Sequence, residues 1–153
     1  SLPYFTFIAF SIILDNSLIL DSISSSADKF LIQLFICCLN IKPLAFFNND
    51  CTIGANKFVK IGEGTIFGEN VKIYDHNHKF ADLKRSIKEQ GFSNGTVSIG
   101  RHCWIGSNVC ILKNADIGDN CVIGAGCVIS GKIEDNTIVK IDSQTQYLTE
   151  SLR

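Results

Sequence analysis

The residues best suited to chemistry lie in one short stretch, VKIYDHNHKF, from Val71 to Phe80. It carries His76 and His78, two of the chain's three histidines, with Asp75 before them and Asn77 between. Three readings fit such a stretch: a metal site, a general base for proton transfer, or a polar turn. A His-x-His pair in extended backbone puts both imidazoles on one side, but a zinc site needs three or four ligands. The remaining histidine is His102, and no cysteine or carboxylate stands at a ligand-like spacing, so no metal is expected. An imidazole titrates near neutrality and serves well as a base, and Asp75 is placed to orient one. Taken by itself, D-H-N-H reads more readily as a solvated turn. Its surroundings change that reading.

The surroundings are periodic. Isoleucine recurs every six residues, at Ile99, Ile105, Ile111, Ile117, Ile123 and Ile129. A step of six suits neither a helix face nor a two-faced strand and marks a solenoid. Glycine follows at Gly100, Gly106, Gly118 and Gly124, and the position four after each isoleucine is small or β-branched: Cys103, Val109, Ala115, Cys121, Cys127. The aliphatic residue points inward, and Gly or Asn at each bend supplies positive φ. Three hexapeptides then make one triangular circuit, and stacked circuits pair as parallel strands about 4.8 Å apart. Each circuit buries its face only against its neighbours, so the ends need caps.

The first half keeps the same rhythm less purely. Ile61, Phe67 and Ile73 are six apart, with Thr65 and Val71 at the small position, and CTIGANKFV before them slips phase by two residues. ILDNSLILDSIS (Ile13 to Ser24) reads as two worn hexapeptides, and Asp28 to Leu44 as a helix or a buried strand bounded by Pro43. The rhythm breaks between His78 and Thr96, where KFADLKRSIKEQGFSNGT forms a polar excursion. Long loops on rigid repeats tend to carry function, and the two histidines stand at the root of this one.

Composition narrows the class. A chain of 153 residues suits one domain. Its net charge of −1 lacks the basic stripe of a nucleic-acid binder. Lys84, Arg85 and Lys88 are flanked by Asp82 and Glu89 and read as a solvated loop. Seven cysteines, an odd number without paired CxxC motifs, fit neither a disulfide framework nor a zinc ribbon. Three of them fall at interior corners as small hydrophobes, so the thiols read as reduced and the protein as cytoplasmic. The apolar run Leu2 to Leu14 is short for a membrane span of about 20 residues, ends at Asp15, and has no basic residue before it as a signal peptide would. A packed strand or helix is favoured over a membrane anchor.

SIGRHCWIGSNVCILKNADIGDNCVIGAGCVISGKIEDNTIV, together with FGENVKIYDHNH, resembles the hexapeptide-repeat acyltransferases, in particular the galactoside, maltose and polysaccharide O-acetyltransferase branch. The likeness covers about residues 46 to 139. It implies a left-handed parallel β-helix, a homotrimer, and acetyl-CoA lying in the groove between adjacent prisms. It implies a histidine base just before the loop, which falls on His78, with His76 second. It places Trp104 and Ser107 along the groove, Gly124, Ala125 and Gly126 at the pantetheine arm, and Asp50 on the acceptor side; Asp75, by its position before the histidines, is counted with the substrate-side residues. A γ-class carbonic anhydrase would share the fold, but Ser107 and Leu112 stand where its histidines would be. There are departures. Ser130 and Gly131 replace part of the usual VTKD, KIDSQTQ replaces GNPA and its basic residue, leaving Lys132 or Lys140 for that role, and Asp50 stands where an Asn is common.

The organisation expected is an N-terminal apolar segment over 1–45 (a cap or degenerate coils), a β-helix acyltransferase domain over 46–140 with loop 79–95, and a tail over 141–153. The function expected is acetyl-CoA-dependent O-acetylation of a sugar hydroxyl in surface polysaccharide or glycoconjugate synthesis, by direct attack. Two rivals stand beside it. An N-acetyltransferase acting on an amino sugar nucleotide would commonly carry an N-terminal βαβ unit, and residues 1–60 show no GxGxxG. A non-catalytic β-helix scaffold is favoured by Asp50 and the altered C-terminal segment, and opposed by His78 and CWIG.

Overall fold

The computed structural model describes residues 38–141. The worn hexapeptides of Ile13 to Ser24, the apolar run before them and the tail after Ile141 lie outside the described residues. The first circuit is β1 (Leu39–Ile41), β2 (Phe46–Phe47) and β3 (Thr52–Gly54), and the second is β4 (Phe58–Ile61), β5 (Ile66–Phe67) and β6 (Lys72–Tyr74). An excursion follows, built from β7 (His76–His78), a 3-10 turn (Ile87–Gln90) and β8 (Phe92–Asn94). The circuits resume with β9 (Thr96–Ile99), β10 (Trp104–Ile105) and β11 (Cys110–Ile111), then β12 (Asp116–Ile117), β13 (Val122–Ile123) and β14 (Val128–Ile129), and close with β15 (Lys132–Ile133) and β16 (Ile138–Val139).

The chain visits three parallel sheets in rotation. Strands β1, β4, β9, β12 and β15 form the first sheet, β2, β5, β10, β13 and β16 the second, and β3, β6, β11 and β14 the third. The six-residue rhythm explains this order. Ile99 pairs with Ile117, Ile105 with Ile123 and Ile111 with Ile129, so three hexapeptides separate each strand from the one stacked on it. The slip of two residues in CTIGANKFV is real. Ile53 pairs with Ile73 and Ile41 with Ile61, twenty residues apart instead of eighteen. Within Asp28 to Leu44, the described part contains β1, a strand of the first sheet.

The inward isoleucines form the core, with Ile61, Ile73, Ile99, Ile105, Ile111, Ile117 and Ile123 all buried. Burying each such side chain is worth about 2–3 kcal/mol before entropy is counted. Cys51, Cys103, Cys121 and Cys127 are buried with them, and all four are free thiols, the last three at the interior phase read from the sequence. Their sulfurs also act as donors. Cys51 Sγ donates to the Gly68 carbonyl at 3.2 Å and Cys103 Sγ to that of Gly118 at 3.1 Å, while Thr65 Oγ1 donates to that of Gly100 at 2.8 Å. The small position therefore closes the stack sideways and fills space at once.

Two corners carry a column of left-handed residues. Leu44, Gly64, His102, Asn120 and Asn136 stack at one, with φ between 55° and 66°. Asp50, Asn70, Asn108 and Gly126 stack at the next, with φ from 57° to 75°. Asparagine tolerates this conformation better than most residues, and Asn70 Nδ2 donates to Asn108 Oδ1 at 2.7 Å along the column. The third corner, between the third sheet and the first, is where the excursion leaves and returns.

Candidate active site

The excursion is an antiparallel arm, with β7 and β8 paired His76 to Asn94, Asn77 to Ser93 and His78 to Phe92. The expectation of a polar loop over 79–95 missed this ribbon, because the segment shows no alternation that would mark two strands. Phe92 lies against both histidines, its ring centroid 5.0 Å from that of His76 and 4.5 Å from that of His78. His78 is exposed. Past the strands the tip is held by polar contacts: Gln90 Nε2 donates to the carbonyls of Asp82 and Arg85 at 2.9 and 3.1 Å, and Gln90 Oε1 accepts from the Asp82 amide at 3.0 Å. Ser86 and Glu89 add a reciprocal cap to the 3-10 turn.

Asp75 anchors the arm. Its side chain is 0 % exposed, and its carboxylate accepts the amides of Asn56 (2.8 Å), Lys57 (2.6 Å) and Phe58 (2.8 Å) from the circuit beneath. Successive amides converging on one anion make a concave nest, here filled by a side chain of the same protein. The two extra residues of that corner explain why three N–H groups turn towards one point. The Asp75 amide donates to the Gly54 carbonyl at 3.2 Å and the Asp75 carbonyl accepts the Gly95 amide at 2.7 Å, so one residue ties the departing and returning chain to the coil. His76, whose side chain is 17 % exposed, places Nδ1 at 2.8 Å from Asp75 Oδ1. A carboxylate only accepts, so this contact assigns the hydrogen to Nδ1 and leaves the lone pair on Nε2. Asp75, expected on the acceptor side and as a residue that could orient an imidazole, has its buried carboxylate facing the three amides and His76.

A cleft of about 510 Å³ opens beside the arm, lined by Asn77, His78, Lys79, Arg85, Ser93 and Lys113 among others. Lys113, on the corner after β11, donates to Ser93 Oγ at 2.8 Å. Phe92, Ser93 and Lys113 were not singled out in the sequence. An aromatic inside a polar excursion was the available signal for Phe92, and the corner phase shared with Asp75 was the signal for Lys113.

The residues expected to line an acetyl-CoA groove lie elsewhere on the chain. Trp104, 55 % exposed, stands on the outer face of the second sheet in register with Phe46, Ile66, Val122 and Ile138. Ser107 is next, at the corner between the second and third sheets, and its carbonyl accepts the Gly126 amide at 2.9 Å. Gly124, Ala125 and Gly126 form the same corner one circuit on, with Ala125 and Gly126 exposed. Asp50 occupies this column two circuits before Ser107's. Ser130 and Gly131 fall at the third corner, one circuit on from Lys113, where Gly131 takes φ 78°. Small residues and exposed backbone beside a flat indole suit an extended amide-bearing arm. Lys132 is paired with Glu134 at 2.8 Å, which leaves Lys140 as the exposed cation beyond that corner. Among the described residues no hydrogen bond or ring contact joins this group to the histidine arm.

Burial pushes Cys51, Cys103 and Cys110 above the ordinary thiol value, away from the thiolate a covalent route would use.

Comparison with known proteins agrees with this architecture. Residues 96–131 match the family model "Bacterial transferase hexapeptide (six repeats)". The chain is 32 % identical over 94 residues to the galactoside O-acetyltransferase of Escherichia coli, covering 61 % of this chain and 45 % of that one. It is 33 % identical over 99 residues, 60 % of this chain and 50 % of the other, to WbbJ, an Escherichia coli protein whose name assigns it to lipopolysaccharide biosynthesis O-acetyl transfer. A solved hexapeptide-repeat acetyltransferase from Vibrio cholerae, in complex with acetyl-CoA, superposes with a TM-score of 0.62 at 18 % identity, over 78 % of this chain and 74 % of that one. The chain spans about half the length of these two Escherichia coli relatives. Residues 96–131 carry the repeat of the bacterial hexapeptide transferases, and the fold is that of a solved hexapeptide-repeat acetyltransferase.

Proposed function

We propose that the chain transfers acetyl from acetyl-CoA to a saccharide hydroxyl, with a histidine of the arm as general base. The observation that carries this is the arm itself: two histidines on a short ribbon, packed on Phe92, rooted in the coil through a buried carboxylate, and standing beside a cleft. A turn that was merely solvated would need none of that support. Proton transfer by a positioned imidazole contributes typically 10²–10⁴-fold. His78, exposed at the cleft, takes the proton of the acceptor hydroxyl as its oxygen attacks the acyl carbon, and returns it to the leaving sulfur. Acetyl-CoA supplies the activated acyl group. A second reading gives the base role to His76, favoured by its contact with Asp75, which leaves Nε2 as the accepting atom.

The three-sheet rotation supports the left-handed triangular β-helix that the family implies. The separation of the arm from Trp104 and Ser107 supports a site completed between copies of the chain. The outer face of the second sheet carries Phe46, Ile66, Trp104 and Ile138, all exposed and stacked in register, an apolar stripe that a second copy would cover. A homotrimer with acetyl-CoA along that face fits both observations, and a cytoplasmic setting, where acetyl-CoA is made, fits the free thiols. Incubation with acetyl-CoA and a panel of oligosaccharides, read as mass gain of one acetyl group, tests the transfer. No gain on any acceptor, with no retention of the protein on immobilised CoA, would favour the scaffold reading instead.

A further inference from the structure

The cleft beside His78 is unusually cationic for this chain. Lys79, Arg85 and Lys113 line it against one carboxylate, Asp82, while the whole protein carries a net charge of −1. Among the described residues the ion pairs are His76 with Asp75, Arg101 with Asp119, and Lys132 with Glu134, so none of the three cleft cations is neutralised by one. Two of them have neutral oxygens as partners: Lys113 Nζ donates to Ser93 Oγ at 2.8 Å and Arg85 Nη2 to the Glu89 carbonyl at 2.5 Å. Asp82 is partly committed, its Oδ1 accepting the Lys84 amide at 3.0 Å. Three like charges around one concavity repel, and an anion entering it relieves that repulsion.

Lys113 and Arg85 are also held in place. Lys113 springs from a corner stacked on Asp75, where Cys110 pairs with Lys72 and Ile111 with Ile73. Arg85 sits in the tip that Gln90 ties together from both ends. A planar guanidinium and an ammonium facing one space suit carboxylate or phosphate oxygens. The sequence grouped Arg85 with Lys84 and Lys88 as a solvated cluster, and the fold sets it on the cleft wall.

We infer that the acceptor is an anionic saccharide, whose carboxylate or phosphate is held by Lys113, Arg85 and Lys79 while a neighbouring hydroxyl faces His78. This rests on the acetyl-transfer reading for its use, but its binding step stands apart from turnover. The test is an amide-shift titration of the ¹⁵N-labelled chain, without acetyl-CoA, using methyl glucuronide, glucose 1-phosphate and methyl glucoside. The expected result is movement of the Ser93 and Lys113 amides with one or both anions, little with the neutral glucoside, and weakening as salt is raised. The stronger anion distinguishes a uronate from a glycosyl phosphate. Lys113→Gln should weaken anion binding by about tenfold, and Arg85→Gln, on the exposed tip, provides a second variant should the first misfold. Equal binding of the neutral glucoside, no movement with either anion, or no effect of either folded variant would overturn the inference. Anion binding without any acetylation would instead count against the transfer reading, and acetylation confined to neutral sugars would count against the cleft.

Discussion

The carboxylate of Asp75 and the imidazole of His76 lie 2.8 Å apart at the point where the arm leaves the coil. The same carboxylate holds the amides of Asn56, Lys57 and Phe58. One buried anion thus sets both the root of the arm and the tautomer of one of its histidines.

Asp75→Asn separates these roles. An asparagine oxygen turned to the three amides directs its NH₂ group at His76 Nδ1, which must then accept. The hydrogen moves to Nε2, a change visible in the ¹⁵N shifts of the ring, and transfer falls if His76 is the base. Asp75→Ala should cost more stability, roughly 2–4 kcal/mol, because buried amides lose their acceptor; urea unfolding measures it. An unchanged tautomer in Asp75→Asn would remove Asp75 as the positioning residue for His76.

Much of the fold was legible in the sequence because the interior repeats: each inward isoleucine fixes the phase of its circuit, and Asn or Gly recurs where a left-handed corner is needed. The slip at CTIGANKFV was legible too, but its purpose was not. The amides of Asn56, Lys57 and Phe58 meet a carboxylate seventeen to nineteen residues later, a relationship that backbone donors leave no trace of in residue types. The arm's pairing was hidden for a similar reason, being set by the Asp75–Gly95 hydrogen bond and by Phe92. His78 was selected through family likeness, whereas the carboxylate contact belongs to His76.

Glycines should differ in a predictable order. A methyl group at Gly62 would press into the Gly100 carbonyl and the Arg101 amide of the next circuit, so Gly62→Ala must part the stack. A loss of roughly 2–3 kcal/mol is expected. Gly91 has φ 74° and open space around it, so Gly91→Ala should cost only about 1 kcal/mol of backbone strain. Denaturant midpoints for the two variants check the order, and the reverse order would contradict the stacking.

Alkaline pH should weaken the fold through its thiols. Burial raises Cys51, Cys103 and Cys110 above their ordinary value of 9.0. Below that value folded and unfolded chains both keep the protons and nothing is lost. Above it the unfolded chain releases them first, so stability falls with rising pH. The urea midpoint should drop between pH 8 and pH 10, and by less in a chain with valine at all three positions. An equal drop in that variant would assign the effect to other groups.

The apolar stripe on the second sheet predicts self-association. Ile66→Glu, in register with Phe46 and Trp104, should reduce the mass measured by light scattering to that of one chain while circular dichroism stays unchanged. A wild-type mass of one chain would remove the second copy from the proposed site.

The most direct test of the central claim is the rate of CoA thiol release from acetyl-CoA in the presence of an accepted saccharide, compared between the wild-type chain and His78→Ala. The account predicts saccharide-dependent release by the wild type and a fall of about 10²–10⁴-fold in kcat for a folded His78→Ala. Near-normal release by His78→Ala would contradict the base assignment and move it to His76, and no release by the wild type with any saccharide would contradict acetyl transfer itself.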